Sequence, residues 1–299
     1  MIGPVRLAAG DLDAVFEPER GMLGGSLRHR GVELLRRIDD LDGAAAKGST
    51  AGIPLLYPWA NRLASLRYRA AGKAVTLDPA SPLLHFDDHG LPIHGVPWSR
   101  LAWEVAEASP GRVLARLDWN RSDLLAIFPF PHGIEFEAAL GPEALTLSVT
   151  VAAGPQGPVP AAFGFHPYFG IPGLARDAWN LALPAMRRLL LDARGIPTGE
   201  QEPFHGLDAA LGGRSFDDGF ALLEKTAALR LSGGGLAIAV ELLSGYGYAQ
   251  VFAPAGASFV ALEPMTAPAN ALASGSGLRI VEPGGRFEAA FRIRIDARP

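Results

Sequence analysis

Four polar clusters in this chain sit in apolar surroundings, and each carries side chains that can move protons or hold hydroxyl groups. The sharpest is Ser258-Phe-Val-Ala-Leu-Glu263-Pro264, an apolar strand that ends in a carboxylate. Phe259, Ala261 and Glu263 share one face by parity, and Val260 and Leu262 share the other. Pro264 biases Glu263 toward an extended backbone and is expected to halt regular pairing just beyond it. Apolar walls raise a carboxyl pKa toward the range useful to a general base. A single Glu at a strand end is more commonly solvated, but the other three clusters shift that weighting.

In Gly52-Ile-Pro-Leu-Leu-Tyr-Pro-Trp-Ala-Asn61-Arg62-Leu63 a guanidinium follows a Pro-rich apolar stretch. It is expected to be partly buried and paired, with a structural carboxylate or with a hydroxyl-rich ligand. In the segment His85-Phe-Asp-Asp-His89-Gly-Leu-Pro-Ile-His94-Gly95 three histidines crowd together, but Gly90, Pro92 and Gly95 argue against the helix that metal-ligand spacing would need. His94 reads instead as a neutral imidazole aimed into a cleft. In Phe163-Gly-Phe165-His166-Pro-Tyr168-Phe169, His166 shares parity with Gly164 and Tyr168, while Phe163 and Phe165 face the other way. Such a histidine is as often a core residue bonded to a carbonyl as a functional one. Ser215-Phe-Asp217-Asp218-Gly-Phe220 sets two acids beside aromatics; one of the two is expected to cap its own turn, and the sequence does not choose between them.

Together these groups suit a polyhydroxylated substrate. A carboxylate can take a hydroxyl proton while an imidazolium gives one to an ether oxygen. No Gly-rich phosphate loop, nucleophile elbow or dinucleotide fingerprint competes.

The elements that must position them are strands. Val113, Ala115, Leu117 and Trp119 alternate with polar positions, as do Ile134 to Leu140, Leu145 to Val151, and Phe287 to Ile295. Each pattern predicts a half-buried strand with one wet face. Leu229 to Val240 predicts a hairpin turning on Gly233, Gly234 and Gly235. Helical turns are expected only near Asp39–Lys47 and Asp208–Leu211. The 36 glycines and 25 prolines are spread along the chain, which favours many short strands and turns. No linker or repeat divides the 299 residues, so a single domain spanning 1–299 is expected, a large antiparallel sandwich or barrel.

Composition narrows the function classes. With no cysteine, disulfides, thiolate catalysis and Cys-type zinc sites are excluded. The formal net charge of −4, with both signs scattered, suggests no nucleic-acid surface and no polybasic membrane patch. With no basic leader and no long apolar run, a soluble, cytoplasmic protein is expected.

At these same residues the chain resembles the aldose 1-epimerase (mutarotase) family. The matching pieces are Pro58-Trp-Ala-Asn61-Arg62, Ile93-His94-Gly95, Gly164-Phe-His166-Pro-Tyr168-Phe169, Phe216-Asp217-Asp218-Gly-Phe220 and Leu262-Glu263-Pro264 with its continuation to Asn270. They run in the family order, as far as Val281-Glu-Pro283-Gly284 before the last strand. The resemblance implies an all-β, galactose mutarotase-like β-supersandwich with a sugar in an open cleft on one sheet. It implies Glu263 as general base and His166 as general acid, with Arg62, His94 and Asp217, and Asn61 and Tyr168 beside them, contacting substrate. It implies aldohexose anomer exchange with no metal or organic cofactor, in a monomer or homodimer whose partner is a small-molecule sugar. The Pro-Trp-Ala-Asn-Arg and His-Pro-Tyr-Phe forms look more like a short, divergent bacterial branch that includes hexose-6-phosphate epimerases. A phosphosugar would want cations at the cleft mouth, for which Arg67, Arg69 and Lys73 are candidates if they are not simply a wet strand face. A non-catalytic sugar-sensing protein on the same scaffold would not need the matched acid and base. A glycoside hydrolase would need a second flanking carboxylate.

Overall fold

The computed structural model describes residues 3–41, 43 and 50–297. The strands whose alternation was clearest form the middle of a nine-stranded antiparallel sheet. Leu236–Ser244, Arg286–Ala297, Ala144–Ala153, His132–Leu140 and Arg112–Trp119 pair in that order. Their apolar parity is buried and their polar parity is at least partly wet, as period-two patterning requires. The glycine hairpin joins this sheet, with Ala227–Gly233 folding back on Leu236–Ser244 and Gly233 opposite Leu236.

A second, eight-stranded sheet carries the polar clusters. Its order runs Pro197–Phe204, Met186–Leu191, Phe216–Leu222, Tyr248–Ala253, Val260–Met265, Gly164–Phe165 and Leu55–Leu56, with Tyr168–Phe169 also pairing with Val260–Met265. The two sheets meet through aromatic side chains. Phe165 lies 5.0 Å from Phe291 and 6.2 Å from Phe136, and Phe163 lies 6.1 Å from Phe287, ring centre to ring centre. Such offset and edge contacts add to the area each ring removes from water. A four-stranded sheet, Val5–Ala9 to Val32–Glu33, packs on through Phe16, whose ring is 5.7 Å from Phe136. The result is the expected antiparallel β-supersandwich. No helix among the described residues is long and apolar enough to cross a membrane.

Three local expectations change. Leu207–Ala210 is an edge strand paired with Asn180–Leu183, not a helical turn at Asp208–Leu211. Its side chains alternate in exposure, and Asp208 accepts a 2.6 Å hydrogen bond from Asn180 across the pair. Short helices appear instead at Ser122–Ile127 and Ala271–Ser274, too brief to print a period. The turn expected over Asp39–Lys47 falls largely outside the described residues. Pairing also continues past Pro264, since Pro264 sits opposite Ala249, and Met265 opposite both Tyr248 and Gly164. Proline marked the carboxylate without ending its strand.

Candidate active site

Parity delivers the first two groups to one place. Phe163 and Phe165 turn into the core, so His166 and Tyr168 turn outward. Across the strand pair, Leu262 takes the core side and Glu263 the outer one. Nε2 of His166 lies 3.2 Å from Oε1 of Glu263, and both side chains are almost fully buried. They share the floor of a cavity of about 300 Å³.

Burial dominates their titration. It pushes the Glu263 carboxyl well above 4.5, helped by the Asp217 charge and opposed by Arg62. It pushes the His166 imidazole well below 6.5, with His94 and Arg36 acting in the same direction. Both shifts favour an uncharged pair, a protonated carboxyl beside a neutral imidazole. That is the proton tautomer of the carboxylate–imidazolium arrangement expected from sequence, at the same net charge. Tyr168 stacks flat on His166 at 4.3 Å, and its hydroxyl lies 3.3 Å from Nε2 while bonding the Thr50 hydroxyl. Burial raises the pKa of that phenol as well.

A corner of backbone supplies the opposite wall. Asn61 (φ 57°) and His94 (φ 64°) both adopt left-handed conformations uncommon outside glycine. They are locked to each other, His94 N–H donating to the Asn61 carbonyl at 2.9 Å. Asn270 holds the same corner, its N–H donating to the Arg62 carbonyl at 2.7 Å and its side-chain oxygen accepting from Ala64 N–H at 2.9 Å. Gly95 is required beside His94, because a Cβ there would lie 2.3 Å from the Tyr57 carbonyl oxygen.

The pairing expected of Arg62 is with Asp87. Nε donates to Oδ2 at 2.6 Å, and the N–H groups of His89 and Leu91 donate to Oδ1, both at 2.9 Å. Burial alone would raise the Asp87 pKa, but these three donors and the Arg62 charge hold its carboxyl below the usual range. Gly195, at a hairpin tip, packs on the Arg62 guanidinium so closely that a Cβ would sit 3.0 Å from Nη1. Asn61 Oδ1 accepts from Arg62 N–H at 2.8 Å, so Asn61 braces the arginine while lining the cavity. His94 meets His166 edge-on at 5.5 Å, and burial, then the His85 and Arg62 charges, lower its pKa to about 3. It is neutral, as its setting suggested, and its buried Nδ1 has no partner among the described residues.

Of the two neighbouring acids, Asp217 lines the cavity and Asp218 pairs with Arg188 at 3.4 Å. Asp217 accepts a 2.7 Å hydrogen bond from the Gln250 amide. Gln250 sits opposite Glu263 on one side and Gly219 on the other, so the row across the sheet is continuous. Every residue that the family resemblance placed at the site therefore lines one cavity: Asn61, Arg62, His94, His166, Tyr168, Asp217 and Glu263. Arg67, Arg69 and Lys73 do not. They stand on the exposed side of the hairpin Arg67–Ala70/Lys73–Thr76, with Lys73 bonded to the Pro129 carbonyl.

A family model for aldose 1-epimerase matches residues 26–294. This chain belongs to the aldose 1-epimerase family. The curated aldose 1-epimerase of Escherichia coli (strain K12) is 28% identical over 180 residues, covering 59% of this chain. That is 46% of the relative, so the match spans about half the length of the curated relatives. A solved protein of Synechocystis is 25% identical with a TM-score of 0.78, covering 99% of this chain and 96% of its own. A galactose mutarotase-like protein of Clostridium acetobutylicum, 18% identical over 98% of this chain and 95% of its own, superposes with a TM-score of 0.85. A GalM/aldose epimerase homologue of C. elegans, 17% identical with 99% of both chains covered, gives 0.81.

In this family member the cavity also contains residues to which no role in holding substrate was assigned from sequence. Gln250, Phe252, Arg36, Thr50, His85 and Asp87 all line it. Gln250 had a visible mark, a polar side chain within Tyr-Ala-Gln-Val-Phe-Ala on the same parity as Phe252. Arg36 had none, being the first of two arginines that end an apolar run.

Proposed function

We propose that the protein is an aldose 1-epimerase that interconverts the α and β anomers of an aldohexose. Glu263 takes the proton from the anomeric hydroxyl as His166 delivers one to the ring oxygen. The C1–ring-oxygen bond breaks, leaving an open-chain aldehyde. Rotation about C1–C2 presents the other carbonyl face, and closure with the two residues exchanging roles gives the other anomer. The observation that carries this is the 3.2 Å contact between two buried groups of opposite type on one cavity floor. The two reacting oxygens are bonded to the same carbon, so an acid and a base must lie side by side to serve both.

The pair holds one proton throughout. Burial keeps that proton on the carboxyl in the uncharged tautomer, and substrate favours the charged one, because the anomeric hydroxyl donates to a carboxylate and the ring oxygen accepts from an imidazolium. Asp217, Gln250, Arg62, Asn61 and His94 hold the hydroxyls, and Phe252 and Phe259 offer apolar faces to the ring carbons. Uncatalysed anomer exchange already proceeds in water, so orientation and proton positioning suffice.

Polarimetry on freshly dissolved single anomers of several aldoses tests this directly. The wild type should speed the approach to equilibrium for at least one of them, and Glu263→Gln should slow the enzymic rate by roughly 10²- to 10⁴-fold. A Glu263→Gln protein as fast as wild type on every accepted sugar would end the proposal.

A further inference from the structure

We infer that Arg36 selects a sugar carrying an anionic group, carboxylate or phosphate, on its exocyclic C6 carbon, and this rests on the mutarotase function proposed above. Other charged groups on the cavity wall have partners within it. Arg62 is bonded to Asp87 at 2.6 Å, Glu263 to His166 at 3.2 Å, and Asp217 to the Gln250 amide at 2.7 Å. Arg36 lines the same cavity, is exposed, and among the described residues has no carboxylate partner. Its guanidinium is nevertheless held in place. Nη1 donates to the Thr50 carbonyl at 3.1 Å, and the group lies over the rings of Phe259 at 4.9 Å and Tyr168 at 5.6 Å. The two rings and the carbonyl hold the group in place, and that one hydrogen bond leaves further N–H donors for a planar, bidentate acceptor.

The cleft is polarised in a direction that matters. Arg36 lies over the Tyr168 ring, which itself stacks on His166, whereas Asp217 is bonded to Gln250, which sits opposite Glu263 in register. With His166 serving the ring oxygen, the carbon next to that oxygen, C5, falls on the same side and carries C6. The exocyclic group therefore projects toward Arg36, and hydroxyls on the anomeric side project toward Asp217. Arg67, Arg69 and Lys73, the cations that sequence alone offered for an anionic substrate, lie off the cavity, and Arg36 takes that role. A single guanidinium matches a carboxylate in both charge and shape, so a uronate is expected to gain at least as much as a phosphate.

The test compares kcat/KM for anomer exchange of glucose, glucuronate and glucose 6-phosphate, read by NMR at low and moderate salt. Wild type should prefer one or both anionic sugars to glucose by roughly 10- to 100-fold, less at higher salt. Arg36→Gln should bring that ratio close to one, and Arg36→Lys should keep part of it. Whichever anion leads identifies the group as carboxylate or phosphate. Glucose exchanged as well as both anions, or a preference that survives Arg36→Gln, would overturn the Arg36 role and leave the epimerase function standing. Acceleration of none of these sugars, nor of any in the wider polarimetric panel, would remove both. Unchanged circular dichroism of the variants shows that they fold.

Discussion

Glu241 and Glu263 project from antiparallel strands, Leu236–Ser244 and Val260–Met265, and each has basic side chains at hand. Glu241 stands on the wet face of the nine-stranded sheet. Arg292 lies directly opposite it in register and Arg294 beside that, bonding its two oxygens at 2.7 and 2.8 Å. Burial would raise its pKa, but the two guanidinium groups outweigh it and hold the carboxyl low. Glu263 stands on a strand that is covered on both faces. Every residue of its strand is buried, its neighbour is an imidazole, and burial wins. The same side chain is held toward its charged form in one place and toward its protonated form in the other. Solvent access and the identity of the partner decide which.

The largest expected consequence is in pH dependence. The doubly protonated pair forms only below the depressed His166 pKa, and the fully deprotonated pair only above the raised Glu263 pKa. Between them the pair carries the single proton that the proposed mechanism requires. The kcat/KM profile should therefore show a plateau broader than the interval between the ordinary values 4.5 and 6.5. A bell no wider than that interval would mean that burial does not govern the pair.

A smaller effect separates the cavity wall from its floor. Asp87 is expected not to touch substrate but to aim Arg62, so Asp87→Asn should raise KM by roughly tenfold, the value of one charge-assisted hydrogen bond, with a lesser change in kcat. A kcat loss matching that of Glu263→Gln would place Asp87 in the chemistry instead. The smallest effect belongs to the wet sheet. Glu241→Ala should cost within about 1 kcal/mol of stability in a urea titration, because both arginines remain solvated. Its pKa is depressed, so the contribution is present at neutral pH and is lost as pH falls through the lowered value. A loss of several kcal/mol would show that the cross-strand cluster is not a surface feature.

The same contrast explains what the sequence made legible. On the nine-stranded sheet, one dry and one wet face print alternation directly, and Arg112–Trp119 was readable residue by residue. On the cavity sheet both faces of Val260–Met265 are covered, so this strand carries no alternation, and pairing runs past Pro264, where the sequence had it end. The site residues were legible for another reason. Pro167, Pro264 and Gly95 punctuate the backbone beside His166, Glu263 and His94, and parity against Phe163 and Phe165 fixed which way His166 turns. Asp217 could not be told from Asp218 because adjacent residues face opposite ways, and only the pairing with Tyr248–Ala253 sets the register. Arg36 and Thr50 reach the cavity from loop and strand-end positions where no periodicity applies.

The central claim is that His166 and Glu263 act as one unit around a shared proton. Rates of anomer exchange for Glu263→Gln, His166→Gln and the double variant test it most directly. If the two residues are one unit, the double variant is no slower than the slower single variant, within a few-fold. Losses that multiply would show two independent contributions and contradict the shared-proton account.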